Sequence, residues 1–267
     1  MHHHLRAGFD RIFVFFDDPD DPLIDAVPDD DRVDIAVNDA ELQACWARWP
    51  ALQRIARHNL AARQMLNAAF AVQLCHSAAL SWLVVLAPDE LLVTDGRELA
   101  DSVSELAASV GQLALPCLAA VPESERVTDP FAEVTLFKRP QRAATTAATA
   151  EHAALLAAAG HTAASWFAAT EDGRVAVRTA PGILPASTFR FNLGASAPQT
   201  VSVRSPRVLR YRDASFDAFT RRHATWGPLS SELFGHVALE QRQVDALLSP
   251  RAAVARGGAR RTTASAW

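Results

Sequence analysis

Two short apolar runs, each cut off by acidic residues and proline, constrain this chain more than anything else in it. Arg11-Ile-Phe-Val-Phe-Phe16 stops at Asp17-Asp18-Pro19-Asp20-Asp21-Pro22, and Ser81-Trp82-Leu-Val-Val-Leu86 stops at Ala87-Pro88-Asp89-Glu90. Runs of this length, rich in aromatic and branched side chains, are what a strand covered on both faces requires. Prolines and aspartates end strands and set turns, which puts the carboxylates at the strands' C-terminal edge. Residues 51 to about 80 read as one long helix or two: Pro50 suits a first turn, and Leu66, Phe70 and Leu74 repeat at four-residue intervals. Strand, crossover helix and strand together predict a parallel sheet whose ligand edge lies at the strands' C-terminal ends. Carboxylates at that edge suit a polyanion held with a metal ion.

The remaining elements are read in the same way. Residues 31–37 alternate as a shorter strand, 91–93 continue beyond the acidic turn, 101–110 look helical, and 133–137 look like a strand. Residues 143–169 are alanine-rich and predicted helical, with Gly160 as a break. Arg174-Val-Ala-Val-Arg178 and Thr200-Val-Ser-Val-Arg204 alternate as strands with one wet face, and Pro181, Gly182 and Pro185 force a loop between them. A short helix is expected over 216–223 and a frayed basic tail from Ser249. No fixed-period repeat is present, which excludes solenoids and propellers.

Composition narrows the class. With 49% hydrophobic and 21% charged residues over 267 positions the chain buries a sizeable core. No apolar run reaches the roughly 20 residues of a bilayer span, and the start lacks the order of a secretory signal, so the sequence as written reads as cytoplasmic. Cys45, Cys75 and Cys117 are odd in number and widely spaced, which indicates neither a disulfide framework nor a CxxC site. A net charge of -4 argues against nucleic acid as the main partner. Alanine is about a fifth of the chain and fits either face of a helix, so periodicity is a weaker guide here than usual.

In their order along the chain these segments resemble a known group. His3-His4-Leu5-x-x-Gly8-Phe9-Asp10-Arg11-Ile12-Phe13-Val14 with Asp17-Asp18, then Arg63-Gln64-x-Leu66-Asn67-x-Ala69, then Trp82-Leu83-x-x-Leu86-x-x-Asp89-Glu90-Leu91-Leu92 is similar to glycosyltransferase family 2 and family 92 enzymes of the GT-A type. Asp129-Pro-Phe131 through Thr135-Leu-Phe137, Gly173 to Arg178, Pro181-Gly182 and Arg204-Ser205-Pro206 extend the likeness, which spans most of residues 3 to 235. The resemblance implies an α/β fold: a Rossmann-like, mostly parallel sheet flanked by helices that binds a nucleotide-sugar such as a UDP-sugar. It also implies Mn2+ or Mg2+, and transfer of the sugar to a glycan or other hydroxyl acceptor. A hard cation on carboxylate oxygens would neutralise the departing diphosphate.

Carried over residue by residue, the resemblance gives Asp17 and Asp18 to the nucleotide, Asp89 to the metal, and Glu90 to the orientation of its neighbour; Arg178 is a possible phosphate contact. Three departures accompany it. Ala87 replaces the first Asp of the family's Asp-x-Asp-Glu, and Phe189 stands where a Pro-x-x-x-His-x-Phe pattern has its His. Family members also carry a further strand, ending in Asn-Glu, ahead of the segment matching His3; the expected fold is therefore GT-A with that N-terminal strand missing. A membrane anchor and a Golgi location would belong to such a preceding segment. No carboxylate is selected as catalytic base from Glu123, Glu125 and Asp129, which fall in the region of an acceptor loop.

The expected organisation is one GT-A-like domain over 1–248, with a nucleotide-sugar half at about 1–142 and an acceptor half at about 143–248, then a basic tail over 249–267. Two functions stand open at this level: a glycosyltransferase-like protein, degenerate at its acidic motif, and a catalytically inactive carbohydrate-binding or interaction protein on the same fold. An unrelated nucleotide-binding α/β protein ranks below both, because no Gly-rich phosphate loop is present. His152, His161, His223 and His236 stand without partners at zinc spacing and read as structural, and Trp82 and Trp226 read as core or platform residues.

Overall fold

A computed structural model describes residues 1–97, 99–121, 123–138, 173–193, 195, 197–212, 214–215 and 217–218. The elements in chain order are α1 (His2–Arg6), β1 (Ile12–Phe16), β2 (Val33–Val37), α2 (Ala40–Trp46), α3 (Pro50–Ala56) and α4 (Leu60–Ser77). They continue with β3 (Trp82–Val84), β4 (Glu90–Val93), α5 (Leu99–Ser104), β5 (Val110–Leu115), β6 (Cys117–Ala120), α6 (Pro130–Glu133) and β7 (Phe137–Lys138). The last are β8 (Arg174–Arg178), β9 (Leu184–Ser187), β10 (Arg190–Asn192), β11 (Gln199–Ser202) and β12 (Arg207–Arg210). The chain divides into two compact units, Met1–Leu118 with Gly173–Arg210, and Ala119–Asp172 with Tyr211–Trp267. The helix expected over 143–169, most of the helix over 216–223, and the tail lie outside the described residues.

The class is mixed α/β, but among the described residues the expected single, mostly parallel sheet is replaced by four sheets. In the first unit β1 and β2 pair in parallel, from Ile12↔Val33 to Phe16↔Val37. A second sheet runs β11-β5-β8-β3, parallel only between β11 and β5. Strand β3 therefore lies antiparallel against β8 and pairs with β8 alone, so the strand, helix and strand read from 11 to 86 join two different sheets. β4 and β12 pair antiparallel, as do β9 and β10.

Helix α4 connects the two sheets, and its ends follow from local chemistry. The Asn59 side chain accepts from the Ala62 N–H at 3.0 Å, satisfying one of the orphan donors of the first turn. At the other end Leu80 N–H donates to Cys75 O and Ala79 N–H to His76 O, with Ala79 at φ 55. This is the helix stop that glycine usually provides, made here by alanine at a cost of about 1–2 kcal/mol. The buried face of α4 is Ala62, Leu66, Ala68, Ala69, Ala71, Val72 and Cys75 rather than the Leu66, Phe70, Leu74 stripe. Its first half packs with Leu42, Trp46 and Ala56, and its second with Leu83, Val175, Val177 and Phe191. Alanines let the strands approach the helix closely, which is why the apolar period misleads.

Strand β8 is buried on both sides, so the wet face expected for it is absent: Val175 and Val177 face the α4 core, Ala176 the opposite one with Leu92, Leu113, Leu115 and Val208. Truncating a fully buried leucine such as Leu113 would cost about 2–5 kcal/mol. The helix expected over 101–110 ends at Ser104, and β5 begins at Val110. A Cβ at Gly111 would stand 2.1 Å from the Ala197 carbonyl oxygen, so glycine is what lets the segment leading into β11 lie against β5. Cys75 and Cys117 are buried thiols, and burial pushes the Cys75 pKa up to about 11. No helix among the described residues is long and apolar enough to cross a membrane.

In the second unit the strand expected over 133–137 shortens to Phe137–Lys138, paired with Ala119 and Ala120 of β6. The residues before it form α6, opened by a capping box: Asp129 accepts from Phe131 N–H and Glu133 accepts from Thr128 and Asp129 N–H. Phe131 and Phe137 both meet Tyr211 edge-on, at centroid distances of 4.8 and 5.2 Å.

Candidate functional site

Two acidic corners in the first unit carry the residues singled out from the sequence. The first closes β1. Asp17 forms an ion pair with Arg63 of α4, Nε to Oδ1 at 2.6 Å, and Arg63 Nη2 donates to Oδ2 at 2.8 Å. Arg63 is fixed from behind by donating Nη1 to the Ala56 carbonyl at 2.6 Å. Asn38, just past β2, donates to the Asp17 carbonyl, and Gln43 donates to Asn38 Oδ1. The ends of two parallel strands and the first turns of α4 thus meet at one polar corner, and the Asp17 side chain stays half exposed. Asn67, one turn beyond Arg63, has a buried Oδ1 without a hydrogen-bond partner. Asp18 is exposed and accepts from the Asp20 N–H, as an aspartate does in a local turn.

The second corner is the turn from β3 to β4. Glu90 folds back so that Oε2 accepts the Ala87 N–H at 3.0 Å while its own N–H donates to the Ala87 carbonyl. Arg174 of β8 grips the carboxylate in two places, Nε to Oε2 at 2.7 Å and Nη2 to Oε1 at 2.6 Å. Arg210 of β12 adds a third contact, Nε to Oε1 at 2.8 Å. The Glu90 side chain is fully buried and both arginines are nearly so. Phe189 covers the Arg174 guanidinium, 3.2 Å from the ring centroid. The Phe that stands in place of a family His therefore shields an ion pair.

Charge balance explains the arrangement. Burial lowers the Arg174 pKa against the pull of Glu90. Burial acts on Arg210 too, but its surroundings, the charge of Glu90 first, then Cys117, the hydrogen bond to Glu90 and last Asp89, together outweigh it and raise that pKa. Burial pushes the neighbouring Cys117 thiol up. Two cations and two carboxylates neutralise one another in a region where an unpaired charge would cost several kcal/mol. Asp89 itself is half-buried.

The two corners do not share a sheet rim. Asp17 closes the β1/β2 pair, whereas Asp89 follows β3 of the β11-β5-β8-β3 sheet. Arg178 donates to the Val110 and Ala107 carbonyls and lies over the Trp82 ring at 4.6 Å, so it ties β8 to the start of β5 and covers an indole. Glu123, Asp129 and the backbone of Glu125 hold local structure in the second unit: Glu123 accepts from Thr135 N–H, Asp129 caps α6, and the Glu125 carbonyl accepts from Asp217 N–H. His152, His161, His223, His236 and Trp226 lie outside the described residues.

The residues present do not fit the divalent cation that the resemblance implies. Among the described residues no three His, Cys, Asp or Glu side chains converge on one point. A cation at the β3–β4 turn would also meet two guanidiniums already bound to Glu90. Sequence reasoning missed Arg63, Asn38, Arg174 and Arg210 as partners of the acidic residues. Arg63 and Arg174 carried a signal, since each lies in a segment that is part of the resemblance. No family model, curated protein or solved structure matches the chain, so the resemblance rests on the residues quoted for it.

Proposed function

We propose that this chain is a glycosyltransferase-like protein of the GT-A type in degenerate form, which holds a nucleotide-sugar or glycan without cation-assisted transfer. Glu90 carries the reading. In a metal-dependent transferase the acidic motif after this strand is offered to a cation, and here the protein's own Arg174 and Arg210 occupy its last carboxylate, Glu90, which the resemblance sets to orient Asp89.

The packing of the first unit supports the GT-A part. Phe13 and Phe15 of β1 pack on the same core as Leu83 of β3 and Val177 of β8, although β1 and β3 are not paired. Asp17 and Asp18 follow β1 and are the residues that the resemblance gives to the nucleotide, with Arg63 holding Asp17 in place.

Titration calorimetry with UDP and a UDP-sugar, with and without Mn2+, tests the proposal. The expected outcome is nucleotide binding that ignores Mn2+, weakens at least tenfold in Asp17→Ala, and is accompanied by no sugar release or transfer. Mn2+-dependent binding that disappears in Asp89→Ala would overturn it in favour of an active transferase, the reading that the half-buried Asp89 after β3 favours. An absence of UDP binding at millimolar concentration removes the nucleotide part.

A further inference from the structure

The edge of β4 is closed by two imidazoles. Among the described residues strand β4 is the outermost of its sheet, and opposite Leu92 the β12 residue Val208 turns its N–H away to the Pro116 carbonyl. Leu92 therefore sits at a register position where its N–H and C=O point outward, away from β12. Both groups are taken up by α1: Leu92 N–H donates to His4 Nε2 at 3.1 Å, and His3 Nε2 donates to Leu92 O at 2.8 Å. The rings meet edge-on at 5.2 Å, and Phe9 backs His4 at 5.5 Å. A five-residue helix thus supplies the donor and acceptor that a neighbouring strand would supply.

We propose that α1 is an acid-released clasp on β4, with His4 as the release and His3 as the anchor. The two rings differ in what protonation does to them. His3 donates from Nε2, and a proton arriving at its other nitrogen leaves that bond in place. His4 must accept at Nε2, and a proton there turns an acceptor into a donor aimed at the Leu92 N–H. The charged groups whose fields reach His4 are His3 and the Met1 amine, both on α1's side; β4 faces it with backbone. Burial first, then these two charges, lower the His4 pKa to about 4. Release frees the outer edge of the strand whose first residue is Glu90, and so connects acidification to the buried ion-pair cluster.

Linkage fixes the size of the effect. With an unfolded value of 6.5 and a folded value of about 4, opening of the clasp becomes about a hundredfold easier between pH 7 and pH 4. Amide hydrogen exchange resolved to single residues reads it directly, as the protection factor of the Leu92 N–H, with Leu113 in β5 as the internal reference for global unfolding. The expected result is a fall of about a hundredfold at Leu92 between pH 7 and pH 4 while Leu113 holds. His4→Gln, which keeps an acceptor and cannot titrate, should abolish the fall. His4→Phe should leave Leu92 poorly protected at every pH. Constant Leu92 protection in the native chain down to pH 4, or the same fall in His4→Gln, would overturn the proposal.

Discussion

Asp17 and Glu90 show what surroundings do to the same pair of functional groups. Each is a carboxylate at a strand end in the first unit, and each is gripped by arginine at 2.6 to 2.8 Å. Yet Asp17 keeps half its side-chain surface in water, and Glu90 keeps none. At Asp17 water can replace Arg63, so the pair fixes orientation and adds little to stability. At Glu90 nothing can replace Arg174 and Arg210, so the carboxylate has become part of the interior. A corner remains able to bind something only while its charges are not already consumed, and by that measure the Asp17 corner is the open one.

Three substitutions would break or sharpen this contrast. Glu90→Ala takes from the buried Arg174 guanidinium the carboxylate that grips it in two places and from Arg210 its bond to Oε1, and should lower unfolding free energy by about 3–5 kcal/mol in urea denaturation. A loss below about 1 kcal/mol would show that water enters the cluster and that the two corners are alike. Phe189→Leu keeps apolar bulk over Arg174 but removes the aromatic face, with an expected loss of about 1 kcal/mol by the same measurement. Asp17→Asn should change stability by less than about 1 kcal/mol, because the carboxylate is half in water and Arg63 keeps its bond to the Ala56 carbonyl. A larger loss there would mean that the first corner is sealed as well.

The acid response of His4 adds a pH coordinate to the comparison. Its folded pKa lies below the unfolded one, so its contribution is complete above about pH 6.5 and declines as pH falls toward 4.

Much of the local structure was legible in the sequence. The runs at 11–16 and 81–86 contain β1 and β3, and 51–80 contains α4 and all of α3 but its leading Pro50, because apolar aromatic and branched runs and a proline-led helix are set by nearest neighbours along the chain. Strand partners were not legible. Nothing in Trp82-Leu83-Val84 says that its neighbour is β8, nearly a hundred residues later and antiparallel. Strand β5, Val-Gly-Gln-Leu-Ala-Leu, lacks alternation because it is covered on both sides, and it followed an apparent helix without a break. Arg174 looked wet because an arginine at the end of an alternating strand usually is; only the carboxylate on β4 makes its burial sensible. The same distant contact hid the role of Glu90, which the sequence set beside Asp89 and the fold turned inward.

Gly111 carries a consequence for how this chain can vary. The β11-β5-β8-β3 sheet contains a single parallel junction, β11 on β5, and it exists because position 111 has a hydrogen where every other residue carries carbon. Drift at that codon is closed to all nineteen alternatives unless the segment around Ala197 moves in the same lineage, so the two positions should change together or not at all.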